Sequence, residues 1–112
     1  MLLAVGMDQR LQMLERLVAD GSTDPFHRYA LAMEYKRLNR HADALEVFAA
    51  LRDAHADYLP MYMMAGLVSV ELDRTDQARA WLMQGLELAR KLGDTKTAGE
   101  LEDALRQTDT PG

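Results

Sequence analysis

Three histidines, His27, His41 and His55, follow one another at intervals of fourteen residues. Imidazole can ligate a metal or carry a proton at neutral pH. Ligands on one helical face must stand three or four residues apart, so no two of these histidines share a local metal face, and turn or surface positions are the ordinary reading. Glu100 with Glu102, and Asp73 with Asp76, could in principle act as paired acid and base. They stand, however, where turns and helix starts recruit carboxylates for their own sake. Cysteine is absent from the chain, which excludes disulfides, thiolate metal sites and cysteine nucleophiles. The sequence has no phosphate-cradling glycine loop, no Ser-x-x-Lys and no basic–aromatic array. A catalytic site needs convergent groups; no catalytic residue, metal or cofactor is expected, and the chain reads as a non-enzyme.

Composition narrows the remaining classes. At 112 residues with 48% apolar content, the chain suits one folded domain with a real core. Its formal net charge is -5 and its isoelectric point is about 5.1, so it repels a phosphate backbone and nucleic-acid binding is not expected. No basic run exceeds the pairs Lys36-Arg37 and Arg90-Lys91. No apolar run approaches the ~20 residues that span a bilayer, so membrane insertion is not expected either. The apolar start, Met1 to Met7, lacks a basic leader and meets Asp8 too early for a secretory signal. Met7 is an alternative start, which leaves open whether Met1–Gly6 belong to the natural chain. A cysteine-free, leaderless chain points to the cytoplasm.

The strongest signal is a repeat. Leu38-Asn39-Arg40 returns as Leu72-Asp73-Arg74, Ala44 returns as Ala78, and Phe48 is answered by Leu82, each 34 residues on. Within the period, Leu31-Ala32-x-x-Tyr35 precedes Ala44-x-x-x-Phe48, and Tyr62-x-x-Ala65-Gly66 precedes Ala78-x-x-x-Leu82. A period of 34 is that of a helix–turn–helix unit. Small residues (Ala32, Gly66, Ala44, Ala78) let helices approach closely, while Phe48 and Leu82 fill core space.

These residues resemble the tetratricopeptide repeat family from about Pro25 to Leu92. The string Asp24-Pro25-Phe26-His27-Arg28-Tyr29-Ala30-Leu31-Ala32 is similar to the opening of small bacterial single-domain members. Arg28 departs from the family's large aromatic, and Ser69 from its tyrosine; neither unit ends with the usual proline. The resemblance implies an all-α, right-handed α–α superhelix over residues 1–112: an N-terminal half-unit at 8–20, full repeats at 25–58 and 59–92, and a capping helix at 95–107.

Boundary signals agree with that layout. Asp24-Pro25 places a capping acid before a proline at the first helical position, and Leu59-Pro60 opens the corresponding helix of the second repeat. Asn39 and Asp73 suit left-handed turns, and Gly21 and Gly93 suit helix stops. Leu11, Leu14, Leu17 and Val18 form one helical stripe, as do Ala98, Leu101, Ala104 and Leu105. The last helix turns Lys96, Glu100, Glu102, Asp103 and Arg106 outward, as an end cap requires.

What the resemblance implies functionally is a surface. The first helix of each repeat lines a concave groove, here through Phe26, Tyr29, Met33, Lys36 and Arg37, then Met63, Met64, Leu67, Val70 and Glu71. Met33 and Leu67 suit core or groove equally, whereas Tyr29 and Met63 lean towards the groove because Leu31, Tyr35, Tyr62 and Ala65 already supply a packed stripe. Eight methionines, with Met61, Met63 and Met64 together, add an adaptable surface or a core filler. The Lys and Asn arrangement with which some relatives clamp a peptide's terminal carboxylate is missing. The expected role is an adaptor or scaffold taking an apolar peptide or helix from a protein partner. The alternative is a homodimer formed through the same apolar groove.

Overall fold

The computed structural model describes residues 2–109, with side chains described from residue 9 onward. It contains six helices and no strand among the described residues: α1 (Leu2–Ala19), α2 (Pro25–Arg37), α3 (His41–Ala54), α4 (Pro60–Glu71), α5 (Thr75–Leu92) and α6 (Thr95–Asp109). The expected start of the first helix at Asp8 is too late. Its backbone is helical from Leu2, since residues 2–7 contain no proline to break the turn. The question of Met1–Gly6 falls on Met1, outside the described residues, and on side chains that are likewise outside them. The chain divides into two compact units, the first ending at His55 and the second beginning at Ala56. No described helix is long and apolar enough to cross a membrane.

One device ends four of the six helices. At Gly21, Asn39, Asp73 and Gly93 the backbone enters the left-handed region, with φ of 87°, 61°, 57° and 72°. In each case the next residue's N–H reaches five residues back: Ser22 to Leu17, Arg40 to Tyr35, Arg74 to Ser69, and Asp94 to Ala89. The left-handed residue itself donates three back, as Asn39 does to Lys36 and Asp73 to Val70. This paired pattern satisfies carbonyls that a helix end leaves open. Asn and Asp manage it with a short side chain where glycine would otherwise serve.

Two helix starts, those of α2 and α6, are capped by acids, whereas α3, α4 and α5 begin without a side-chain cap. Asp24 Oδ1 accepts the Phe26 N–H at 2.9 Å, just ahead of Pro25. Asp94 Oδ1 accepts the Thr97 N–H at 3.0 Å while its Oδ2 accepts the Thr97 hydroxyl at 2.8 Å. Those two bonds, the backbone one foremost, hold the Asp94 carboxyl below its ordinary range.

In unit 1, α2 packs on α3 through Leu31, Ala32, Ala44, Leu45, Phe48 and Leu51, all buried. The Tyr29 ring meets Phe48 at 6.2 Å between centroids, tilted by 59°. Leu14 of α1 is buried too, and Tyr35 donates its hydroxyl to Glu15 on α1 at 2.5 Å. The Arg40 guanidinium lies 4.5 Å from the centre of the Tyr35 ring, a cation–π contact.

Unit 2 repeats the helix pair and adds α6. Tyr62 and Trp81 join α4 to α5 at 6.0 Å and 57°, the same tilted geometry as in unit 1. The Tyr62 hydroxyl donates to the Ala56 carbonyl at 2.5 Å, pinning the segment that leads into α4. Ser69, standing where Tyr35 stands one period earlier, is fully buried and donates to the Ala65 carbonyl at 2.9 Å. The departure from tyrosine thus leaves no buried polar group unpaired. Leu82, Ala89, Ala98 and Leu101 form a buried cluster under α6, and Arg79 reaches from α5 to Thr108 at 3.2 Å and to the Asp109 carboxylate.

Truncating Phe48 or Leu82 to alanine is expected to destabilise the fold by about 2–5 kcal/mol each, the range for fully buried side chains whose loss leaves a cavity. Denaturant melts followed by circular dichroism measure this. Midpoints matching the wild type would remove both residues from the core. Deleting the chain from Asp94 onward is expected to uncover Leu82 and Ala89, reducing helicity in the remainder or causing aggregation. A truncated chain of unchanged per-residue helicity and melting would show that α6 covers nothing essential.

Candidate functional site

Among the described residues no group of three or more His, Cys, Asp or Glu could hold a metal ion. His27 instead belongs to the α2 start, with its Nδ1 2.6 Å from the Ser22 hydroxyl and its Nε2 3.9 Å from Asp24. Of the four acids weighed for chemistry, three occupy structural positions and Glu100 is simply exposed. Asp73 sits at the left-handed turn, Asp76 lies in the first turn of α5, and Glu102 faces Arg90 at 3.8 Å.

Unit 1 carries a cleft of about 650 Å³ between α1 and α2. Phe26, Tyr29, Met33, Lys36 and Arg37, all five residues singled out from α2, line it together. They fall on one side of the helix because their spacing follows its turn. Phe26 is 57% exposed, whereas Tyr29 and Met33 are half-buried. Tyr29 therefore does two things: it borders the cleft and packs against Phe48 behind it. The opposite wall comes from α1, where Arg10, Met13 and Leu14 complete the lining. Sequence reasoning missed that wall. Leu14 was read as the packed stripe of α1, and nothing in the 34-residue period marks Arg10 or Met13, since both precede the first full repeat.

The electrostatics of this cleft centre on Glu34. Its carboxylate is nearly buried, with its side chain 6% exposed, and takes both arms of the Arg37 guanidinium, Nε at 3.3 Å and Nη2 closer still. A forked pair of this kind is directional as well as charged. The Arg37 hydrogen bond holds the Glu34 carboxyl below its ordinary range against the opposing effect of burial, with Arg10 adding to the lowering. Deeper in the unit, burial and then the Glu15 carboxylate push the Tyr35 hydroxyl up to about 12. It remains a neutral donor throughout the physiological range.

Unit 2 distributes its predicted residues differently. Leu67 and Val70, 39% and 43% exposed, line a cleft of about 350 Å³ with Thr75, Leu82, Ala104, Gln107 and Thr108. Met63 instead packs against the buried cluster under α6. Met64 is half-buried and Glu71 exposed, and neither lines that cleft. The apolar residues of α4 are thus divided between core and surface, a division that a helix apolar on nearly all sides does not disclose in sequence.

Two glycines set the spacing behind these faces. A Cβ on Gly66 would stand 2.6 Å from Leu82 Cδ2, and one on Gly85 would stand 2.6 Å from the Tyr62 Cβ. Gly66 was legible as the small residue of its repeat. Gly85 was not, because the residue one period earlier is Leu51.

Comparison with known proteins agrees with this architecture. A family described as tetratricopeptide repeat matches residues 59–92. The solution structure of a tetratricopeptide repeat domain protein from Salinibacter ruber superposes with a TM-score of 0.73 at 40% identity, covering 77% of this chain and 87% of that one. A crystal structure of the tetratricopeptide repeat domain protein from Salinibacter ruber gives 0.72 at 40% identity, covering 77% of this chain and 97% of that one. A protein from Bordetella parapertussis shares the fold at 24% identity, with a TM-score of 0.75 over 88% of this chain and 85% of the other. No curated protein matches the chain.

The Glu34–Arg37 pair has a pH signature. A carboxyl whose pKa is depressed on folding adds stability above its unfolded pKa and loses it as pH falls through the folded value. Arg37→Ala removes the partner and leaves a nearly buried carboxylate, so the variant is expected to melt below the wild type at pH 7. The gap should narrow towards pH 4, as Glu34 takes up a proton and no longer needs a cation. A melting difference that is the same at both pH values would show that the charge pairing is not what the substitution removes.

Proposed function

The chain belongs to the tetratricopeptide repeat family, and from that membership we propose that it is a protein-interaction module, an adaptor that receives apolar peptide or helical segments of a partner on the outward faces of α2 and α4. Repeats of this family mediate protein–protein interaction. The observation that carries the finer reading is the exposure of large apolar side chains on the first helix of each repeat: Phe26 on α2, Leu67 and Val70 on α4. Apolar side chains gathered along one cleft are what a partner's side chains cover, whereas isolated ones carry no such meaning. Phe26 also shares its cleft with the half-buried Tyr29 and Met33, so an incoming side chain meets shape as well as apolar surface. A non-enzymatic role and a cytoplasmic setting belong to the same proposal, the latter motivated by the absence of cysteine.

Phe26→Glu and Leu67→Glu test it, one per unit. Tyr29 and Met63 are less suitable, because both also pack on buried neighbours. Exposed positions are expected to tolerate the change within about half a kcal/mol of folding stability. Association should fall steeply, since covering an unpaired carboxylate with apolar surface costs several kcal/mol. Circular dichroism checks the fold, and affinity capture from native extract, wild type beside each variant, checks the binding. A set of captured proteins unchanged by both substitutions would sink the assignment of these faces. Light scattering separates the homodimer alternative: a wild-type dimer reduced to monomer by either substitution would mean that a second copy covers the same face.

A further inference from the structure

The cleft of unit 1 has a basic rim in a chain of formal net charge -5. Three cations, Arg10, Lys36 and Arg37, line it against one carboxylate, Glu34, and that carboxylate is nearly buried and fully engaged by Arg37. The neighbouring acid on α1, Glu15, is engaged by the Tyr35 hydroxyl. Among the described residues neither Arg10 nor Lys36 takes part in a salt bridge. In the same cleft Met13 and Phe26 are 55% and 57% exposed. The cleft's 650 Å³ lies within the range of about 300–1,000 Å³ typical of binding pockets.

Resting on the reading that the face of α2 binds protein, we propose that this cleft selects an acidic peptide segment with an apolar centre, its apolar side chains on Met13 and Phe26 and its carboxylates facing Arg10 and Lys36. A neutral segment would cover Lys36 without a salt-bridge partner and Arg10 with only the Glu34 carboxylate, which Arg37 already engages, and a basic one would add repulsion. Nucleic acid would bring a run of phosphates that two cations on one cleft cannot neutralise, whereas a short segment with one or two carboxylates matches them. The two cations lie at the rim, so their pairing adds modestly to affinity and chiefly sets discrimination and salt dependence.

The test is a selection of displayed random peptides on the full chain, repeated on Arg10→Ala/Lys36→Ala and on Arg10→Glu/Lys36→Glu. Arg37 is left intact because Glu34 depends on it. Circular dichroism is expected to show both variants folded, each melting somewhat below the wild type because Arg10 also acts on the Glu34 carboxylate. Peptides enriched by the wild type are expected to carry Asp or Glu around an apolar pair, and their binding should weaken as salt rises. Synthetic copies should bind the alanine variant roughly 2- to 30-fold more weakly, the range for two partly exposed ion pairs. The glutamate variant should enrich Lys- and Arg-bearing peptides instead.

Enriched peptides without acidic bias, or acidic peptides binding the alanine variant within twofold of the wild type, overturn the proposal. If such peptides are lost on Leu67→Glu or Phe26→Glu, the interaction reading stands while the charge selection falls. If no peptide is enriched at all, both fall. A concentration-dependent dimer of the wild type that the glutamate variant abolishes would place a second copy in the cleft, and would also overturn the proposal.

Discussion

Two helices joined by a short turn can share a core only if their backbones come close enough for side chains to interlock, and that distance is set by the smallest residues between them. In unit 2 the constraint is visible atom by atom, because a single added Cβ on Gly66 would collide with Leu82, and one on Gly85 with Tyr62. Unit 1 meets it with Ala32 and Ala44, both fully buried. Close approach then lets Phe48 and Leu82 disappear from solvent, and lets the tilted pairs Tyr29–Phe48 and Tyr62–Trp81 form at about 6 Å. Glycine inside a helix costs about 1 kcal/mol relative to alanine. At Gly66 and Gly85 that cost is offset by contacts that alanine would prevent.

The turns follow from the same requirement. A helix pair packed this closely leaves little chain to reverse direction, and the left-handed residues at Asn39 and Asp73 complete the reversal while satisfying the carbonyls of α2 and α4. The side chains presented outward depend in turn on where each helix stops and starts. Phe26 lies one position inside the Asp24-Pro25 cap, and Lys36 and Arg37 close the last turn of α2. The basic end of the cleft is therefore also the C-terminal end of a helix dipole, where positive charge is favoured. One placement serves folding and surface chemistry together.

The period of 34 exposed the helices because it repeats the residues that enforce close packing: Ala44 and Ala78, Phe48 and Leu82, and the turns at Asn39 and Asp73. The cleft of unit 1 was half legible. Its α2 wall follows from helical spacing within a repeat, but its α1 wall, Arg10 and Met13, lies ahead of the first full repeat and has no periodic counterpart. Glu34 was illegible for a different reason. A glutamate in an amphipathic helix reads as solvated, and only the fold shows Arg37 folding back over it. In α4, an almost wholly apolar sequence offers no contrast between Met63, which packs on the core, and Leu67, which does not.

Trp81 is the chain's one tryptophan. It is 5% exposed, inside unit 2 and in tilted contact with Tyr62. Its emission is consequently a local gauge, sensitive to the loosening of α4 from α5, whereas far-ultraviolet ellipticity sums over all six helices. Cooperative all-or-none unfolding makes such probes coincide, and a partly independent unit makes them diverge. Nature has in effect labelled one helix pair and left the other optically silent in that channel. The order in which the two units come apart can thus be followed in the unmodified chain, without attaching a dye or changing a residue.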